Sequence, residues 1–378
     1  MATKRTRSTT QAIPLPNMPL SQDGPARICA VGVGGGGSNA IMRMMRARPV
    51  PGVSYACVNT DLKALGQADG ANVVHIGENL TRGLGAGGDP DMGARAAGES
   101  KQELKKIING ADLVFLAIGM GGGTGTGAAP IVADMARQAG ALVVAVATTP
   151  FSFEGARRLE TAHSGITELT SHVDNLIVIH NDRLLSLFEG KTSMEEALRA
   201  ADDAVMLGVL SVAELVNLPG EINVDLADVK AIMKIPGKAM MAIGEARGEG
   251  GPLEAAKRAV NNPLLDVSLE GAKGVLFNVT GGPSMTLGEV NEAGEYIASQ
   301  VDHRAMIFFG MVNGDAKDDL IRMTLIATGI GDEGPDGYGY LEGAYPLSPT
   351  SSPGFQGSFP REEVDLDLPP FLRRNTIR

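Results

Sequence analysis

The chain has 378 residues, 43% hydrophobic and 20% charged, which is enough for a large core and more than one domain. Its net charge of −11 argues against a nucleic-acid binder, which needs a basic face to displace counterions. No apolar run approaches the roughly 18 residues of a membrane span, and no apolar stretch follows Lys4, Arg5 and Arg7 to complete a signal peptide.

Residues 1–25 are polar and proline-bearing and read as a flexible N-terminal arm. "RICAVGV" (27–33) is a short apolar run that ends in glycines, and "NAIMRMMRA" follows with helical spacing. "VSYACVN" (53–59) and "NVVHI" (72–76) are strand-like, and "DMGARAAGESKQELKKIIN" (91–109) reads as one helix. "ADLVFLAI" (111–118), "ALVVAVAT" (141–148) and "NLIVIH" (175–180) are continuous apolar runs with helices between them. Parallel strands covered on both faces read this way, so an α/β fold with a mainly parallel sheet is expected. Residues 193–217 form a long helix with Ala and aliphatics on almost every face beyond Asp203, as suits a buried helix between domains. A smaller α+β unit follows, with strands at 239–246, 274–281, 305–312 and 321–329 and helices at 253–261 and 286–300. From about Gly331 the chain is rich in Gly, Pro and Ser and is expected to be disordered. Cys29 and Cys57 fall in strands and read as buried free thiols. His163 and His172 lack metal-ligand spacing, so no zinc is assigned.

The 50 glycines show no collagen-like period and concentrate in loops. "GVGGGGSNA" (32–40) and "GMGGGTGTG" (119–127) each lie between a strand and a helix. Both should therefore present bare N–H groups and a helix N-terminus at one sheet edge, where an anionic polyphosphate would bind. Thr124 and Thr126 add hydroxyls. "GLGAGGDP" (83–90) is a third loop on that edge, open to reading as a turn or as a ligand loop. "GKT" (190–192) is not a P-loop, because Leu185 stands where the first glycine of that motif must be. "NVDLADVKAIM" (223–233) places Asp225 and Asp228 three apart at a helix start. On spacing alone the stronger reading is a helix cap. Asn223 adds a third polar group.

Several of these segments together carry a family resemblance. "GMGGGTGTG" resembles the signature loop of the tubulin and FtsZ superfamily. "GVGGGGSNA", "VNTD" (58–61), "PFSFEGARR" (150–158), "NDRLL" (181–185) and "NVDLADV" (223–229) are similar in order and spacing to FtsZ, the bacterial division GTPases. "DLDLPPFLRR" (365–374) looks like the family's C-terminal peptide. The resemblance implies a tubulin-like GTP-binding domain over 26–192, a central helix over 193–217 and a smaller α+β domain over 218–330. A disordered linker (331–362) and a partner-binding peptide (363–378) would complete the chain. Carried over position by position, Gly35, Gly36, Gly37, Ser38, Asn39, Gly123, Thr124 and Gly125 would hold the phosphates of GTP or GDP. Glu154 would bind ribose, with Arg158 beside it. Asp202 would read the base, since a carboxylate accepts from the N1–H and amine of guanine and finds only a lone pair at adenine N1. Asn223, Asp225 and Asp228 would enter the site of the next subunit and polarise the attacking water. Mg²⁺ is the implied cation, its ligands not legible.

The same resemblance implies head-to-tail homopolymers, hydrolysis activated by self-assembly and a cytoplasmic ring at midcell. Phe371 and Leu372 would dock on membrane-tethering proteins of FtsA-like or ZipA-like kind. Leu198, Thr149 and His180 depart from the family pattern, which often has Phe, a basic residue and Pro there. Two rival readings stand beside it. G-x-G-x-x-G with Asp61 after the second strand suits an NAD-dependent oxidoreductase, and a filament scaffold without hydrolysis would need no Asp225 or Asp228.

Overall fold

A computed structural model describes residues 26–331 apart from 48, 69, 186–192, 218–221, 223, 249, 263–267, 283–284 and 314–318. The arm, Asn223, the C-terminal peptide and nearly all of the linker lie outside the described residues.

Six strands come first: β1 (Ile28–Val33), β2 (Val53–Asn59), β3 (Asn72–His75), β4 (Leu113–Gly119), β5 (Leu142–Thr149) and β6 (Asn175–His180). They alternate with α1 (Gly34–Ala47), α2 (Leu62–Leu65), α3 (Glu78–Thr81), α4 (Pro90–Glu99), α5 (Lys101–Ile108), α6 (Gly123–Gln138) and α7 (Ala156–Thr170). After α8 (Asn181–Leu185), α9 (Met194–Asn217) and α10 (Leu226–Met233) come β7 (Lys238–Arg247), α11 (Gly251–Val260), β8 (Gly274–Gly281), α12 (Leu287–Ala298), β9 (Met306–Asn313) and β10 (Leu320–Ile330).

The strands lie in the order β3-β2-β1-β4-β5-β6-β7-β10-β8-β9. All pairs from β3 to β6 are parallel, so their carboxyl ends share one edge and their amino ends the other. The sequence dictates this burial. In β4, Leu113, Phe115 and Ala117 enter one core, while Val114, Leu116 and Ile118 enter the core on the opposite face. A strand buried on both faces has no polar alternation to show, and it needs the helical crossovers that cover each face. Beyond β6 the sheet turns mixed: β10 runs antiparallel to β7 and β8, and β8 runs parallel to β9. The fold is thus a mainly parallel sheet followed by an α+β part with its own core around Ala255, Phe277 and Leu325.

The helix expected over 91–109 is two helices. The break falls at Ser100, whose buried hydroxyl accepts the Gly77 N–H at 3.1 Å and so ties the chain to α3. The long helix α9 has 24 residues, a length of about 36 Å. It runs from the carboxyl edge, just past α8, to the amino edge, where Asn217 donates to the Pro51 carbonyl at 3.2 Å. α10 stays at the amino edge. Asn175, the first residue of β6, donates to its Met233 carbonyl at 3.3 Å. Lys230 and Lys234 line a cavity there of about 220 Å³ with Leu142 and Asp174.

Candidate functional site

The glycine loops meet at the carboxyl edge, and backbone packing explains most of their glycines. A Cβ on Gly37 would collide with the Ala117 carbonyl, and one on Gly127 with that of Pro90. At Gly34, with φ of 75°, a Cβ would stand 2.7 Å from the Gly125 nitrogen; at Gly123, 2.7 Å from that of Asp89. The first, second and third glycine loops therefore touch one another through main chain. Two glycines of the first and second loops escape this explanation. Gly35 and Gly122 have no positive φ, and a Cβ on either would meet nothing within 4 Å. Their bareness leaves room for something outside the chain.

What that edge offers is a set of N–H donors. α1 opens directly on Gly34, and α6 has Gly122 as a cap residue without a capping side chain; neither helix carries an acid in its first turn. Two uncapped N-termini side by side favour an anion. Gly35, Gly36 and Asn39 are exposed at the rim, whereas Ser38 is only 2% exposed and its hydroxyl lies inside, so its contribution would be its N–H. The Thr124 hydroxyl meets that of Thr60 at 2.6 Å. Thr126 is engaged internally, accepting the Gly121 N–H at 2.9 Å, so it staples the loop instead of facing a ligand. The third loop ends in a helix cap: Asp89 accepts the Asp91 N–H, with Pro90 in the first turn of α4.

Glu154 and Arg158 stand together beyond β5. Glu154 accepts the Phe151 N–H at 2.9 Å and pairs with Arg158 one helical turn on. Two departures from the family pattern form a pair of their own, for the Thr149 hydroxyl lies 3.3 Å from His180 Nδ1.

Asp202 lies on α9 beside α1. Its Oδ2 accepts Arg43 Nε at 3.0 Å, and Arg43 Nη1 lies 3.7 Å from Asp203. Burial pushes the Asp202 carboxyl up to about 6 despite that cation. Arg43 escaped the sequence reading because 159 residues separate the partners. The only signal for it is its place on α1, where Gly35, Asn39 and Arg43 recur every four residues and so share one helix face.

Asp225 and Asp228 are not in this constellation. Asp225 caps α10, accepting the Asp228 N–H at 2.9 Å, and both sit at the amino edge of the sheet. The seven residues of β4 alone put about 23 Å between the two edges. Asp61, the acid on which the oxidoreductase reading relied, caps α2 by accepting the Lys63 and Ala64 N–H groups. Cys29 and Cys57 are buried free thiols, Cys57 pushed up to about 11 by burial. Among the described residues no three His, Cys, Asp or Glu side chains converge to hold a metal.

Comparison with known proteins gives this geometry a context. The profile of the Tubulin/FtsZ family GTPase domain matches residues 27–189, and that of the FtsZ family C-terminal domain matches residues 237–331. An FtsZ structure from M. jannaschii, described as an empty dimer, is 40% identical, with a TM-score of 0.78 over 82% of this chain and 90% of that one. CetZ1 of Haloferax volcanii, a GDP-bound monomer, shares the fold at 19% identity, covering 81% of this chain and 95% of its own, with a TM-score of 0.67. CetZ2 of the same organism, a GTPγS-bound protofilament, does so at 23% identity, 81% and 94% coverage and a TM-score of 0.66. With both domain profiles matched in order and an FtsZ aligned along nine-tenths of its length, this chain belongs to the Tubulin/FtsZ family of GTPases, in its FtsZ branch.

Proposed function

We propose that the chain stacks head to tail into filaments and hydrolyses GTP at the contact between subunits. The observation that carries this reading is the separation of two half-sites. The donors for a triphosphate occupy the carboxyl edge of the sheet, and the acids Asp225 and Asp228 ride on α10 at the amino edge. A surface that offers one half at each end makes a heterologous contact, and repeating it yields an open filament. The M. jannaschii FtsZ dimer and the CetZ2 protofilament support such contacts by relation.

Each group then has a task. The N–H groups of Gly35 to Asn39 and Gly123 to Gly125 hold the phosphates, Glu154 and Arg158 flank the ribose, and Asp202 reads the base. Asn223, Asp225 and Asp228 of the adjoining subunit orient a water in line with the γ-phosphate. The water oxygen bonds to phosphorus as the bond to the β–γ bridging oxygen breaks, leaving GDP and phosphate. Such a reaction asks for positioning and charge stabilisation, and groups supplied in trans contribute strongly. Mg²⁺ is the cation expected to accompany the triphosphate, where it would offset phosphate charge. The filaments would form the division ring at midcell in the cytoplasm, tethered through Phe371 and Leu372 to FtsA-like or ZipA-like partners. No helix among the described residues is long and apolar enough to cross a membrane.

Mixing two inactive proteins tests the shared site. Asp202→Asn removes base reading and Asp228→Ala removes an acid. Each alone should turn over GTP at no more than a few per cent of the wild-type rate. The equimolar mixture should recover a substantial fraction, because an Asp202→Asn subunit still lends its acids to the GTP of its neighbour. A mixture no faster than its parts would place both residues in one subunit's site and refute the reading.

A further inference from the structure

Arg43 stands between the two helices that start at the carboxyl edge. It extends the face of α1 that begins at the open Gly35, and its guanidinium bridges Asp202 and Asp203 of α9. Arg43 and Asp203 are the charged groups acting on Asp202 among the described residues; Asp182 of the neighbouring α8 turns instead to the Ser152 N–H and hydroxyl. An ion pair between a largely buried carboxylate and a part-buried guanidinium has a cost in desolvation.

We propose that Arg43 is a specificity-determining positioning residue, which keeps the Asp202 carboxylate charged and aimed so that the site takes guanine and rejects adenine. This rests on the base-reading role proposed for Asp202. The charged acid only accepts, and it matches the N1–H and exocyclic amine of guanine. The neutral acid has one donor and one acceptor. It matches adenine, giving its proton to N1 and accepting from the N6 amine. The protonation state of one carboxyl therefore selects the base. Burial drives Asp202 towards the neutral form, and Arg43 opposes that drive. Nε engages a single lone pair of Oδ2, so the carboxylate retains capacity for two bonds from a base.

The affinities for GDP and ADP, measured by competition with a fluorescent GDP analogue at concentrations below assembly, test this from pH 5.5 to 8.5. In the wild type the GDP-to-ADP preference should fall about tenfold per pH unit as pH is lowered on either side of about 6, because protonation weakens GDP binding and strengthens ADP binding. In Arg43→Gln the same fall should be displaced about 1–3 pH units higher, since that is what an opposite charge contributes. Preference at pH 7 should then drop at least tenfold. Arg43→Lys, which keeps the charge, should stay near the wild type. Arg43→Met, which keeps the side-chain stem against α9, repeats the measurement should the Gln variant not fold. Superimposable profiles for the wild type and the uncharged variants would overturn the proposal. Asp202→Asn separates the two layers of the claim. If it preserves the preference for GDP, base reading by Asp202 itself has failed. If it gives a low and pH-independent preference while the Arg43 variants match the wild type, only the role of Arg43 has.

Discussion

Gly35 and Gly37 are two residues apart on one helical turn, yet their glycines answer to different demands. Gly37 faces the Ala117 carbonyl, and Gly35 faces open space. Gly37→Ala should cost about 1–3 kcal/mol of stability through overpacking, read as a lower melting temperature in the absence of nucleotide. Gly35→Ala should leave the free protein equally stable, or up to about 1 kcal/mol more so, because alanine is the better helix former. Its GDP affinity should nevertheless fall roughly 10- to 100-fold, as a methyl lifts the phosphate off its donors. Loss of stability without loss of binding in Gly35→Ala would reverse the assignment. Asp202 supplies a second test at this scale. Its carboxyl is raised to about 6 in the fold, so folding takes up a proton there between roughly pH 4 and 6. Wild-type stability relative to Asp202→Asn should therefore be greatest below about pH 4 and be lost as pH rises through about 6. Paired denaturant titrations across that range would show it. A constant difference would mean that Asp202 titrates normally.

Elements carry the next level of specification, and Ser100 shows where it is concealed. Its hydroxyl is the acceptor for the Gly77 N–H, and it splits one expected helix into α4 and α5. Ser100→Ala would leave that buried N–H without a partner, at a cost of about 1–3 kcal/mol. Hydrogen exchange at Gly77 should rise with it, and an unchanged rate would mean that water or another group takes over. Thr286 tests a feature that the sequence displays openly. Its hydroxyl accepts the Glu289 N–H while Glu289 accepts back at Thr286, closing a capping box on α12. Thr286→Ala should cost about 1 kcal/mol. The contrast explains what sequence reading reached. The buried parallel strands near the site, the glycine loops and the buried length of α9 follow from local pattern, since Gly runs and unbroken apolar stretches carry their own physics. The Ser100 break and the Arg43–Asp202 pair are long-range contacts, and no local period announces a partner 159 residues away. The role of Thr126 misled for a related reason: a threonine in a phosphate loop looks the same whether it faces the ligand or its own backbone. Asp225 and Asp228 held both readings at once, for Asp225 does cap α10.

At the scale of the molecule, geometry and kinetics become one question. α9 runs about 36 Å from the carboxyl edge to the amino edge, and from Asp202, the proposed base reader, to its end at Asn217 it covers about 22 Å. No hinge within one subunit could close such a gap without dismantling the sheet that separates the two, because its strands are buried on both faces. On the proposed shared site, turnover depends on how many carboxyl edges are met by amino edges. GTP hydrolysis per subunit should be near zero at low protein concentration, rise beyond a threshold and level off once most subunits have a neighbour. Asp228→Ala should assemble at a similar threshold but hold its filaments, because its γ-phosphates persist; light scattering after a limited dose of GTP would decay in the wild type and stay high in the variant. A specific rate independent of concentration would show that one subunit suffices. In that case α10 would be only a capped helix, and its distance from the phosphate loops would need a different explanation.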